Sequence, residues 1–158
     1  MIFNFIILLS LHLSAQDKKI WAKSVINQEA PEFIVEQWIS EEPNMEDKYL
    51  LIDFWATWCG PCIRTIPKLN NIHEKYKDKL VVIGISDEEK KKVKKVTNQK
   101  IDYFSAIDTK KRMSSELQIK GIPHCLIINP NGIVVWEGYP LLSGYELTEE
   151  VIASIIGD

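Results

Sequence analysis

The sequence predicts an α/β fold: a single domain with one central mixed sheet and helices on both faces. Three observations carry this. Two apolar runs, Leu50–Trp55 and Leu80–Ser86, are each followed by residues patterned for a helix, and strand–helix–strand order asks for a crossover and parallel pairing. Later, Cys125–Ile128 and Ile133–Trp136 flank Asn129-Pro130-Asn131-Gly132, a turn that reads as a hairpin and adds antiparallel strands. Composition agrees: 158 residues, 46% hydrophobic and 26% charged, suit one globular core and argue against disorder.

Residues 2–13 are almost wholly apolar, and Ser14-Ala15 precede a charged stretch. Such a run makes a helix of about 18 Å, short of the roughly 30 Å of a bilayer core. The expectation is a signal peptide at residues 1–15, cut after Ala15, ahead of a domain over 16–158. Left uncut, it would be a membrane tether.

Ala30-Pro31-Glu32-Phe33 begins a short extended stretch whose apolar residues are Phe33, Val35 and Trp38, and a turn is expected at Glu41-Glu42-Pro43-Asn44. Leu50–Trp55 reads as a central strand. Ile63, Ile66, Leu69, Ile72 and Tyr76 recur at helical spacing, so a helix is expected from Pro61 to Tyr76, kinked at Pro67. The unbroken apolar run Leu80–Ser86 suits the middle of a sheet. Ser86 then reads as the N-cap of a helix over Glu88–Gln99, with Val93 and Val96 inward and the lysine run solvated. A short strand near Tyr103-Phe104, a helix over Lys110–Leu117, the hairpin, and a last helix from Leu147 to Ile156 complete the order.

The most informative motif is Trp58-Cys59-Gly60-Pro61-Cys62. Two cysteines one helical turn apart, after a strand and at a helix start, can close and reopen a disulfide. Cys59 at the helix N-terminus meets free amides and the positive end of the helix dipole, which favour a thiolate. It is the candidate nucleophile, with Cys62, one turn inside, as the resolving thiol. Half of a zinc site is the other reading of such a pair. A structural zinc needs four ligands, and no second Cys-x-x-Cys or His pair exists here. The third cysteine, Cys125, is expected as a buried, inert thiol. His124 leaves open a different class, a Cu(I)-binding module made by Cys59, Cys62 and His124. A net charge of −3 gives no pull toward nucleic acid or anionic membrane.

Phe54-Trp55-Ala56-Thr57-Trp58-Cys59-Gly60-Pro61-Cys62 together with Gly121-Ile122-Pro123 resembles thioredoxin. Ala30-Pro31-Glu32-Phe33, Leu126-Ile127-Ile128-Asn129-Pro130-Asn131-Gly132 and the apolar N-terminus narrow the resemblance to the TlpA/ResA-like extracytoplasmic thiol–disulfide oxidoreductases. It covers about residues 27–156 and implies the thioredoxin fold with an N-terminal strand extension. It implies catalytic Cys59 and Cys62, and Asp53 as a buried acid of raised pKa that moves the proton of Cys62. It also implies that Pro123 is a cis-proline, offering backbone for a substrate strand together with Ile122, beside Trp58, Gly60 and Pro61. Two departures stand out. Thr65 occupies the place of a Glu in cytochrome-maturation members, and no lysine lies on the Val82–Ser86 strand to partner Asp53.

The resulting expectation is a periplasmic or secreted reductase of protein disulfides, monomeric, needing no cofactor and no metal, and recharged by a membrane electron donor. An oxidase or isomerase is the alternative direction.

Overall fold

The computed structural model describes residues 20–95, 99–144 and 146–157. The expected signal segment at 1–15 lies outside them. Among the described residues the strands are β1 (Gln37–Trp38), β2 (Tyr49–Trp55), β3 (Leu80–Ser86), β4 (Phe104–Ile107), β5 (His124–Ile128) and β6 (Val134–Gly138). The helices are α1 (Gly60–Tyr76), α2 (Lys90–Val93), α3 (Arg112–Glu116) and α4 (Glu149–Ile156). The strands form one sheet in the order β1-β4-β3-β2-β5-β6. β2, β3 and β4 run parallel, while β1, β5 and β6 pair antiparallel with their neighbours. This is the mixed sheet expected, with β2 central. None of the described helices is long and apolar enough to cross a membrane.

Alternation along the strands divides the core in two. Leu51, Val82, Cys125 and Ile127 face Ile66, Leu69, Ile72 and Tyr76 of α1 and Ile152 and Ile156 of α4. Ile52, Phe54, Ile83, Ile85 and Leu126 face the other way, against Met113 of α3 and Leu117 just after it. Truncating one of the fully buried members, such as Leu69 or Ile52, to alanine costs about 2–5 kcal/mol.

The second helix departs most from expectation: α2 has four residues rather than the span Glu88–Gln99. Ser86 does not cap it. Ser86 ends β3, and its Oγ accepts from the Glu88 amide at 3.3 Å, so the chain turns before helix can start. Like-charged lysines at i and i+4, Lys90 with Lys94 and Lys91 with Lys95, further oppose propagation. Val93 is buried as expected, whereas Val96 is outside the described residues.

β1 is only two residues long. Pro31 has no amide to donate to a ladder, and Phe33 instead stacks on Trp38 with ring centroids 6.0 Å apart. The third helix starts two residues late because Lys111 is left-handed (φ 56°) and the Asp108 carboxylate accepts from the Arg112 amide at 2.7 Å. In the hairpin, Asn129 Oδ1 accepts from the amides of Asn131 (3.0 Å) and Ile133 (2.9 Å). Ile133 therefore stays in the turn and β6 begins at Val134. Gly132 supplies the positive φ of 80° that this turn needs. Thr148 caps α4 by accepting from the Val151 amide, and buried Leu147 and Ile152 flank the cap within one apolar cluster, a hydrophobic staple.

Candidate active site

β2 delivers the chain to the cysteine pair at the end of the central strand. Thr57 and Trp58 bridge to α1, and Cys59 is the N-cap residue of that helix. Its Sγ accepts from the Cys62 amide at 3.2 Å, one of the N–H groups a helix start leaves without a partner. Pro61 sits in the first turn, where its missing N–H costs nothing. Cys59 and Cys62 are joined in a disulfide with Cα atoms 5.2 Å apart, and both are buried. Gly60 is the first residue of α1, and a side chain there would meet only Arg64 at ordinary contact distance.

A residue that sequence reasoning passed over holds this loop. Glu88 accepts from the Thr57 amide (2.6 Å) and from Thr57 Oγ1 (3.0 Å), and it pairs with Lys92. Burial pushes its carboxyl up, but the bonds from Lys92 and Thr57 outweigh this and hold it below the ordinary value. One acid of the run Asp87-Glu88-Glu89, just before a lysine run, gives no hint of such a partner thirty residues earlier.

The Ile122–Pro123 peptide bond is cis. It places Ile122 O 3.7 Å from Cys59 Sγ. Trp58, next to the pair in sequence, is 70% exposed. Next to the cis bond runs a groove of about 440 Å³. Pro61, Arg64, Ile122 and Pro123 line it together with Trp21, Tyr139, Leu141 and Leu142. Trp21, Leu141 and Leu142 are large apolar residues left exposed at 46%, 45% and 41%. Trp21 is fixed by an edge-on contact with Tyr139 (5.2 Å) and by its amide donating to the Tyr139 hydroxyl (2.6 Å). The part of the lining made by Trp21, Tyr139, Leu141 and Leu142 was not foreseen, though an isolated Trp in a polar leader is a signal that could have been followed.

Strand parity decides what lies under α1. Asp53 is opposite Cys125 on β5 and Gly84 on β3, between Leu51 and Trp55, which face α1. Asp53 is fully buried. Its Oδ1 accepts from the Cys125 thiol at 3.2 Å, while Oδ2 has no partner among the described residues. Burial raises its pKa to about 7, with the Cys125 hydrogen bond pulling the other way. Cys125 is buried, as expected, and is raised well above the ordinary thiol value by that burial and by the Asp53 carboxylate.

His124, one residue before Cys125, points to the opposite face. It pairs in register with Phe54 and lies edge-on to Tyr139. Burial lowers its pKa to about 4, so it is neutral. Among the described residues no cluster of three or more His, Cys, Asp or Glu side chains could hold a metal ion, so the Cys59–Cys62–His124 copper site is not assembled. Thr65 spends its hydroxyl on Pro61 O at 3.0 Å within α1.

Comparison with known proteins agrees with this geometry. A family described as thioredoxin-like matches residues 47–134. The thiol-disulfide oxidoreductase ResA of Bacillus thuringiensis (strain Al Hakam) is 32% identical over 119 residues, 72% of this chain and 69% of the relative. The thioredoxin-like protein YneN of Bacillus subtilis is 26% identical over 114 residues, 68% and 67% of the two chains. The solved thioredoxin domain of a thiol-disulfide oxidoreductase from Bacteroides vulgatus superposes with a TM-score of 0.69 at 22% identity, covering 85% of this chain and 99% of that one, a likeness of fold.

Proposed function

The chain belongs to the thioredoxin-like family, and we propose that it is a thiol–disulfide oxidoreductase that reduces protein disulfides outside the cytoplasm. The observation that carries this is the Cys59–Cys62 disulfide at the start of α1, with the carbonyl before cis Pro123 beside Cys59. In the reduced protein, the Cys59 thiolate is stabilised by the helix N-terminus, including the Cys62 amide already turned toward it. It attacks one sulfur of a substrate disulfide and forms a mixed disulfide, and the other substrate sulfur leaves as a thiolate. Cys62 then gives its proton to Asp53 and attacks Cys59, releasing the second substrate thiolate. Two electrons pass from the protein dithiol to the substrate, and the Cys59–Cys62 disulfide is left behind.

Trp58, Gly60, Pro61, Ile122 and Pro123 form the surface that meets the substrate. Ile122 offers backbone to an extended segment, and the apolar groove beyond receives side chains flanking the target cystine. The apolar N-terminus supports export, and the kinship with ResA supports an extracytoplasmic role. An oxidising compartment would drain such a reductase, so a membrane electron donor must recharge it. The test is a Cys62→Ser variant, which cannot resolve: it should accumulate proteins bound covalently through Cys59, released by dithiothreitol. Recovering no adducts, with Cys59 reactive and the protein folded, would refute the exchange mechanism.

A further inference from the structure

Among the described residues, no cation offsets the buried Asp53 carboxyl. β3 presents Gly84 opposite it, with no side chain. The space a side chain there would need is filled by Tyr103 and Trp55, whose Cε2 and Nε1 lie 2.9 and 3.0 Å from the position of a Cβ. The Tyr103 hydroxyl and Trp55 Nε1 are themselves buried without partners. Among the described residues, the titratable groups beside Asp53 are Cys125 from β5 and Tyr103 from the segment before β4. Neither is cationic, and of the two it is the Cys125 thiol that donates to the Asp53 carboxylate.

We propose that Cys125 is a positioning residue for proton transfer: its S–H binds Asp53 Oδ1, favours the carboxylate, and leaves Oδ2 as the oxygen that takes the proton of Cys62. This rests on the reading of Asp53 as the base for Cys62. In the resolving step the proton passes from Cys62 Sγ to Asp53 Oδ2. The Cys62 electron pair forms the bond to Cys59 Sγ, the Cys59–substrate bond breaks, and the substrate sulfur leaves as a thiolate. Cys125 neither gains nor loses a proton, which fits a thiol held well above its ordinary pKa by burial and by Asp53. A base works best with a pKa near the working pH, and the value of about 7 for Asp53 is a balance. Burial opposes the charge and the Cys125 hydrogen bond favours it.

The test reads the resolving step directly. Reduced protein mixed with excess 5,5′-dithiobis(2-nitrobenzoate) releases one thionitrobenzoate on attack by Cys59 and a second on resolution by Cys62. The second phase is followed by stopped flow against pH. The wild-type rate should inflect near pH 7, following Asp53. Cys125→Ala should move the inflection up by about one pH unit, a fall of roughly fivefold in rate at pH 7. Cys125→Ser, which keeps a donor, should stay within a few tenths of a unit of wild type. Cys125→Val, filled but without a donor, takes the place of alanine should that variant not fold. If the donor-free variant superimposes on wild type while Asp53→Asn abolishes the inflection, the role of Cys125 is refuted and that of Asp53 stands. If serine shifts the profile as far as alanine, the effect is packing and the inference is likewise wrong. If Asp53→Asn leaves the wild-type profile intact, the underlying reading fails.

Discussion

Replacing Asp53 by Asn should change the pH dependence of stability in a way only a buried, protonated carboxyl predicts. The carboxyl titrates near 7 in the folded protein against 3.8 when unperturbed, because burial disfavours its charge. Between those values the folded state holds a proton that the unfolded state has released. Stability must then fall as pH rises through that window. About three pKa units correspond to roughly 4 kcal/mol, lost progressively from about pH 4 to pH 7 and fully lost above it. Asn cannot ionise, so the variant escapes this loss. It keeps an acceptor for the Cys125 thiol but buries an unpaired amide nitrogen, at a cost of about 1–3 kcal/mol that does not vary with pH. The variant should be the less stable protein near pH 4 and the more stable one above pH 8. The difference between the two proteins should change by about 4 kcal/mol across the range. Urea unfolding of the oxidised proteins at intervals from pH 4 to 9 measures it. His124 titrates alike in both and cancels. Parallel curves would refute the claim that Asp53 is buried with a raised pKa.

His124 works with the opposite sign. Its pKa, lowered to about 4 from 6.5 by burial, means stability is present above pH 6.5 and is lost as pH falls toward 4. His124→Phe should remove that acid-side slope, worth about 3 kcal/mol, in the same urea series; an unchanged slope would contradict the neutral, buried imidazole. Gly84→Ala should destabilise by about 1–3 kcal/mol, because the new methyl meets the Tyr103 and Trp55 rings inside normal contact distance. A neutral effect on the urea midpoint would mean those rings do not fill the space beside Asp53.

How far the site could be read beforehand depended on which residues act locally. Cys59 and Cys62 lie in one helical turn after an apolar strand, so their pairing follows from spacing alone. β2, β3 and the hairpin declare themselves by apolar runs and turn residues. Contacts that need strand register were not visible. Cys125 and His124 are adjacent, and one residue of register sends Cys125 under α1 to Asp53 and His124 to the other face. The alternative of a copper site made by Cys59, Cys62 and His124 failed on that parity. The Glu88–Thr57 contact and the Trp21 part of the groove lining join segments far apart in sequence. The late start of α2 reflects a tertiary demand on Glu88 that overrides local helix propensity.

The reduction potential of the Cys59–Cys62 couple, set by equilibration against dithiothreitol or glutathione buffers, tests the central claim most directly. A reductase fed by a membrane donor should lie near thioredoxin, at about −270 mV. A value near that of DsbA, about −120 mV, would make the protein an oxidant and contradict the proposed direction of electron flow.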